Sequence, residues 1–397
     1  MDVERNHFEP EPLSGLVRPD YRGGGIVNLI SSIVAGCGGE PLAPLLDALS
    51  PRELRGRNVV LMVLDGLGHK FLGRHPESFT HRHLRARLTS VLPSTTATAI
   101  TTFMTGLAPL QHGLTGWFTY LRELGGVATV LPFRPRHGGP SYAAAGIDPR
   151  AVFHWPPVAD RMASDPHIVS ASFIVDSDYS RCTGGRARRH GYRNLEEFFA
   201  ATARLVRGAS RPTYVYAYWP DLDRLCHEQG TTSAAVEQHF GQLDAGLRRF
   251  SEAVAGTDTV VVVSADHGVL DTDPEHTIHL EDHPRLARTL TLPLCGEPRL
   301  AYCYVRPRYQ RQFEDYVRGE LPECCTLLPS EQLIEEGLLG DSEPHRELGH
   351  RIGDYALLMR DRYVIKDRLL GETPFDQVGV HGGASAAEMY VPLLVLG

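Results

Sequence analysis

The chain has 397 residues, of which 42% are hydrophobic and 22% charged, with a net charge of −8. That length and balance predict a soluble globular protein large enough to bury its own core without staples, as one big α/β domain with an insertion or as two domains. The acidic balance argues against a broad basic face for tracking a nucleic-acid polymer, and seven scattered cysteines with no CxxC pair exclude a zinc ribbon and fit a reducing compartment better than a disulfide scaffold.

The chain opens on MDVERNHFEPEP, which has acids where a secretory leader needs a basic start and an apolar run. No stretch approaches the ~18 apolar residues of a membrane span, so the expectation is a cytoplasmic protein that does not engage a membrane. Residues 1–55 read as a lead-in containing one apolar helix, IVNLISSIVA. Asn58–Leu64 (NVVLMVL) is a continuous apolar run of the kind buried on both faces of a parallel sheet, and Asp65-Gly66 follows it directly. Val91–Gly106 (VLPSTTATAITTFMTG) reads as a strand exit, a proline, and then hydroxyl residues opening a helix that stops near Gly106. The basic run Arg181–His190 reads as a solvated loop.

Thr213–Trp219 (TYVYAYW) and Thr259–Ala265 (TVVVVSA) repeat the buried-strand form. Between them Val236, Phe240, Leu243, Leu247, Phe250 and Val254 alternate at four and three residues, the stripe of an amphipathic helix. Strands alternating with such helices predict a doubly wound α/β sheet. From about Pro284 to Arg368 the texture changes to α+β. Arg299–Val305 and Asp354–Arg360 look like strands, Tyr309–Leu321 and Ser330–Leu338 like helices, which predicts an inserted cap domain over 284–368. Tyr390–Leu396 (YVPLLVL) is a last core strand.

Ligands bind outside the carboxyl ends of strands in an open α/β sheet. Three polar clusters fall there: Asp65; Asp221 and Asp223 with His227; and Asp266-His267. An aspartate after a strand is often only a turn former or helix cap, but three clusters mixing carboxylate and imidazole are the ligand types of a hydrolytic zinc centre. Asp223 and His227 are spaced i, i+4, one face of a helical turn; Asp221 competes for the carboxylate role. A hydroxyl at the start of the helix after Pro93 sits where unpaired N–H groups and the helix dipole favour an anion. It becomes a nucleophile if a metal lowers its pKa; the blander alternative is that Ser94 or Thr95 simply caps the helix.

In order along the chain come strand–DG at Asp65, PSTTATAITTFMTG, PDLDRLCHEQG, SADHG at Ser264–Gly268 and GVHGG at Gly379–Gly383. The ordered set resembles the nucleotide pyrophosphatase/phosphodiesterase family of the alkaline phosphatase superfamily. That resemblance implies a three-layer α/β/α core with a mainly parallel sheet, made of residues 1–283 and 369–397, and the small α+β cap between. It implies Thr96 as nucleophile, nine residues before Thr105-Gly106, with Thr95 as runner-up. It favours Asp223 over Asp221, and it assigns one zinc ion to Asp65, Thr96, Asp266 and His267 and a second to Asp223, His227 and His381. The reaction implied is hydrolysis of a phosphodiester or pyrophosphate bond of a nucleotide-like or other small metabolite through a phosphothreonine. The backbone N–H of Ala97 would hold a phosphoryl oxygen. The expected partner is therefore a small-molecule phosphoester.

The chain departs from the family at Trp117, where diesterase members place an asparagine on a phosphate oxygen, and Ala265 stands where the family has serine. No arginine is placed by motif to clamp a monoester, although Arg122 is close in sequence. A phosphomonoesterase on the same scaffold is thus the alternative reading. A phosphomutase is disfavoured because those relatives use serine, and a non-catalytic metal-binding module because every ligand position is filled. His276, His279 and His283 suggest a polar loop rather than a third metal site, and His154 and Trp155 are candidates for lining the pocket.

Overall fold

The computed structural model describes residues 15–372 and 376–397. The acidic N-terminal dodecapeptide lies outside the described residues.

The central strand is Asn58–Leu64, buried along all seven residues. It pairs in parallel with Thr213–Trp219 on one side and Thr259–Ser264 on the other. Asp165–Ala171 and Arg188–Tyr192 continue the sheet in parallel beyond Thr213–Trp219. On the opposite flank Tyr390–Leu396 runs antiparallel to both Thr259–Ser264 and Leu84–Thr89. Six of the seven strands therefore point the same way, and only the last one in the chain is reversed.

Helices cover both faces. Tyr216 and Trp219 are three residues apart on one strand, so they face opposite sides. Tyr216 meets Phe103 of the Thr96–Thr105 helix, with ring centroids 6.5 Å apart. Trp219 stacks on His239 of the Ala234–Val254 helix and packs on Phe198 of the Leu195–Arg207 helix. The result is the α/β/α layering expected. The predicted stripe of Val236, Phe240, Leu243, Leu247, Phe250 and Val254 is the buried face of Ala234–Val254. IVNLISSIVA forms the Ile26–Gly36 helix, which is almost wholly buried and packs against Thr96–Thr105, so this stretch belongs to the core.

A second seven-stranded sheet is antiparallel throughout. Residues 284–368 supply four strands: Cys295–Glu297, Leu300–Cys303, Cys325–Pro329 and Tyr355–Met359. The other three, Phe118–Leu121, Gly126–Thr129 and Arg134–Pro135, come from well before that segment, joined through the pairing of Gly296 with Phe118. Phe313 and Val317 of the Gln310–Glu320 helix cover it.

Two loop expectations are corrected. The Arg181–His190 run spans the end of the Asp178–Thr183 helix and most of an edge strand, Arg188–Tyr192. Its cations are locally paired, Arg188 with Asp165 and Arg189 with Asp176, and charged side chains are what an edge strand tolerates. The His276–His283 stretch is built of short ordered elements, with Thr277–His279 paired in parallel to Val364–Lys366. Among the described residues no helix is long and apolar enough to cross a membrane.

Candidate metal centre

Parallel strands deliver their carboxyl ends to one edge, and the polar clusters follow those ends. Asp65 comes directly after Leu64 and donates its backbone N–H to Trp219 O at 2.9 Å. Asp223 and His227 lie in the Asp221–Gln229 helix, which starts two residues after Trp219, with Pro220 between. Asp266 and His267 follow Ser264 closely. His381 precedes the reversed strand, whose Tyr390 end pairs with Thr89 at the same edge. Gly66 has φ +74°, and a Cβ there would stand 2.9 Å from the Asp223 Cβ; glycine lets the first and second clusters meet.

The six side chains form two groups of three. In each, the candidate ligand atoms lie within 4.8 Å of one another: Asp65, Asp266 and His267; and Asp223, His227 and His381. In the first group Asp266 Oδ1 accepts from the N–H of Gly66 (3.2 Å) and of His267 (3.0 Å), and Tyr218 donates its hydroxyl to Asp65 Oδ2. That leaves Asp65 Oδ1 and Asp266 Oδ2 buried with no hydrogen-bond partner. His267 Nε2 stands 3.4 Å from the first and 3.5 Å from the second. Burial, then the neighbouring Asp266 and Asp223 carboxylates, push the Asp65 pKa well above the usual range.

In the second group Asp223 Oδ2 is 2.9 Å from His227 Nε2, while Oδ1 is again buried without a partner. The His227 and His381 Nε2 atoms face each other at 3.2 Å. Burial lowers the His227 pKa, but Asp223 outweighs it and raises the imidazole to about 9. Burial likewise acts upward on Asp223, yet the His227 imidazole holds it below the usual carboxylate range. The two groups touch through the His267 and His381 rings, stacked at 3.7 Å.

These donors suit a cation. A buried carboxylate oxygen without a partner is costly, and metal coordination is one of the few ways to satisfy it. All three histidines have Nδ1 beside a backbone carbonyl: His227 at Gly379 O (2.6 Å), His267 at Gly268 O (3.1 Å) and His381 at Ser94 O (3.2 Å). A carbonyl only accepts, so Nδ1 carries a proton, and Nε2 is the nitrogen turned inward, free to bind a cation once it is deprotonated. Three carboxylates and three imidazoles are the oxygen and nitrogen set of a zinc-type site.

Thr96 opens the Thr96–Thr105 helix, and its Oγ1 is 3.2 Å from His267 Nε2. Ala97, next in the helix, is fully buried. Asp221 lies outside both groups, half-exposed and paired with Arg224 at 3.0 Å. Trp117 is half-buried, and its backbone N–H donates to Glu297 Oε1 at 2.6 Å. Arg122 is tied to Glu347. His276 pairs with Asp273 and His283 with the Tyr316 hydroxyl, so these histidines do not converge. His154 and Trp155 pack with each other and with His345.

Sequence reasoning missed Glu297. It is buried in the second sheet, and its Oε1 also accepts the Thr95 hydroxyl at 2.7 Å. Burial raises its pKa to about 7. In CGEPRL it reads as an ordinary hairpin tip, and only a charged residue set among apolar strands marks it out.

A family model described as type I phosphodiesterase / nucleotide pyrophosphatase matches residues 59–384. No curated protein sequence matches the chain. Among solved structures, murine ectonucleotide pyrophosphatase/phosphodiesterase 5 is 17% identical, with a TM-score of 0.64 over 86% of this chain and 88% of its own. The human protein of that name gives the same coverage and score at 16% identity. Phosphonoacetate hydrolase from Sinorhizobium meliloti 1021 gives a TM-score of 0.62 at 17% identity, over 86% of this chain and 90% of its own. These likenesses show the fold, and the family match, spanning most of the sequence, makes this chain a member of the type I phosphodiesterase / nucleotide pyrophosphatase family and a phosphoester hydrolase.

Proposed function

We propose that the chain hydrolyses a phosphodiester or pyrophosphate bond of a nucleotide-like or other small metabolite, with Thr96 as nucleophile and two zinc ions. One observation carries the reading. The Thr96 hydroxyl lies 3.2 Å from His267 Nε2, at a helix start beside three buried carboxylate oxygens that have no partner.

Asp65, Asp266 and His267, with Thr96, would hold one ion, and Asp223, His227 and His381 would hold the other. When bound, such a pair lowers the pKa of a hydroxyl and offsets charge on both the attacking and the departing oxygen. Gly66 and His267 N–H groups fix Asp266, Tyr218 fixes Asp65, and the three backbone carbonyls fix the imidazole tautomers. The site is thereby set before substrate arrives. Thr96 Oγ1 passes its proton to water and attacks phosphorus in line; the bond to the ester oxygen breaks, that oxygen leaves as an alcohol on taking a proton from water, and a phosphothreonine ester forms. Water then attacks the same phosphorus and frees Thr96. The N–H of Ala97 holds a phosphoryl oxygen through the reaction. An inactive threonine-to-alanine variant of the murine relative is in complex with AMP, and the bacterial relative is in complex with phosphonoformate; both accord with a small phosphoryl ligand. Residues 284–368 act as the cap that sets specificity.

A phosphomonoesterase reading is favoured by Trp117, whose side chain replaces the expected asparagine and whose N–H is already given to Glu297. Assay of bis-p-nitrophenyl phosphate against p-nitrophenyl phosphate, with and without chelator, separates the two. The diester reading requires faster turnover of the bis ester and its loss on chelation. Full chelator-resistant activity would remove the metal assignment.

A further inference from the structure

Thr95 holds the N-cap of the Thr96–Thr105 helix, with extended backbone at φ −140° and ψ 152°. A threonine hydroxyl there ordinarily accepts from the N–H two or three residues on. Ser177, Asn194 and Ser233 each cap their own helix in this way, whereas Ser385, before the four-residue Ala386–Met389 helix, makes no side-chain cap bond. Thr95 makes no such bond. Its hydroxyl turns away and donates to Glu297 Oε1 at 2.7 Å. Among the described residues the N–H groups of Thr96, Ala97 and Thr98 have no acceptor.

Glu297 reaches this point from the second sheet, and the fold makes room for it. The same oxygen that takes the Thr95 hydroxyl takes the Trp117 N–H at 2.6 Å, which ties the carboxylate to both sides of the site. Gly382, next to His381, has φ +111°, and a Cβ there would come within 2.6 Å of Glu297 Cβ. Two residues further on, Arg299 is held by Glu388, whose carboxylate also accepts from the N–H groups of Gly383 and Ser385. The hairpin carrying Glu297 is thus anchored on the His381–Gly383 turn. The helix start it controls adjoins the buried, unpartnered Asp65 Oδ1 and Asp266 Oδ2 through Thr96 and His267.

The geometry points to Glu297 as a positioning residue: it withholds the Thr95 hydroxyl from its own helix, so that the first N–H groups of Thr96–Thr105 stay open to the phosphoryl oxygens of a substrate. This inference rests on the reading of Thr96 as nucleophile. Without Glu297, the Thr95 hydroxyl swings onto the Ala97 or Thr98 N–H and competes with the phosphate. The carboxylate itself touches no reacting atom.

A rescue experiment tests it. Glu297→Ala is expected to lower kcat about 100-fold, the scale of losing an oxyanion donor, and to weaken competitive inhibition by inorganic phosphate about tenfold. Adding Thr95→Val removes the competing hydroxyl and is expected to restore at least tenfold of the lost kcat together with the phosphate affinity. Glu297→Gln keeps an acceptor oxygen and is expected to stay within about threefold of the parent. If Glu297→Ala does not fold, Glu297→Met, similar in length and without an acceptor, carries the same expectations. A double variant no better than the single one, or a Glu297→Ala enzyme with parental kcat and phosphate inhibition, overturns the inference. Thr96→Ala in the parental background keeps the two ideas apart. If it still turns over, the nucleophile reading fails; if it is inert and rescue fails, only the role of Glu297 falls.

Discussion

In the sheet built around Asn58–Leu64, six strands end at one edge, and every candidate ligand is found beyond that edge or just before the reversed strand that starts there. In the other sheet neighbours run in opposite directions, each edge receives strand starts and ends alternately, and no ligand candidate comes from it. It contributes support instead: Glu297 on the Thr95 hydroxyl, and Arg299 on Glu388. The contrast teaches that strand direction decides where polar strand ends accumulate. A parallel sheet concentrates chemistry, and an antiparallel one braces it.

The strongest way to break this division is to remove the hydroxyl at the parallel edge. Thr96→Ala is expected to lower kcat on the order of 10⁴-fold with the melting temperature little changed. Single-turnover kinetics would reveal any residual phosphoryl transfer, and activity within tenfold of the parent would move the chemistry elsewhere.

The joint between the sheets comes next. Arg299 and Glu388 are both fully buried and form a two-point ion pair. Glu388→Gln leaves the guanidinium uncompensated and should cost about 3–5 kcal/mol of stability, read by chemical denaturation. Burial raises the Glu388 pKa, but Arg299 outweighs it, so the net shift is downward from 4.5. The sign follows: stability from this pair is present above pH 4.5 and is lost as pH falls through the lower folded-state pKa. The parent should therefore lose stability on acidification through that window more steeply than Glu388→Gln. Parallel pH profiles for the two proteins would show that the pair does not brace the site.

A smaller effect is expected at Trp117. Its ring is half-buried beside a backbone held by Glu297. Trp117→Ala should raise KM about fivefold for an aromatic phosphoester through lost apolar contact, about 1 kcal/mol, and change kcat less. A kcat loss with unaltered KM would place Trp117 in the reaction instead. The smallest effect sharpens the topological argument. Asp221 sits two residues from Asp223 but pairs outward with Arg224. Asp221→Asn should leave kcat/KM within about twofold, since exposed pairs contribute little; a large loss of bound metal would return Asp221 to the site.

The core strands and the long amphipathic helix were legible because burial leaves a direct trace in sequence. Asn58–Leu64 and Thr213–Trp219 are apolar on both faces, and Ala234–Val254 carries its stripe. Asp165–Ala171 and Arg188–Tyr192 were not, because strands at and near a sheet edge keep polar side chains, and DPHIVSA and RRHGY carry no continuous apolar run. Phe118–Pro135 escaped for another reason. Its strands are short, and they are completed by partners more than 150 residues later.

The sequence by itself determined which residues have the chemistry of the site, because aspartate, histidine and threonine must sit at strand ends and a helix start to be useful there, and those punctuation points are local. The family resemblance implied the division into two groups and Asp223 over Asp221, and the fold brings the side chains together in that way; only the tertiary structure decided that Glu297 reaches Thr95 across 202 residues. Contacts of that range depend on which strands pair and in which direction, and nothing in a short window of residues encodes that pairing.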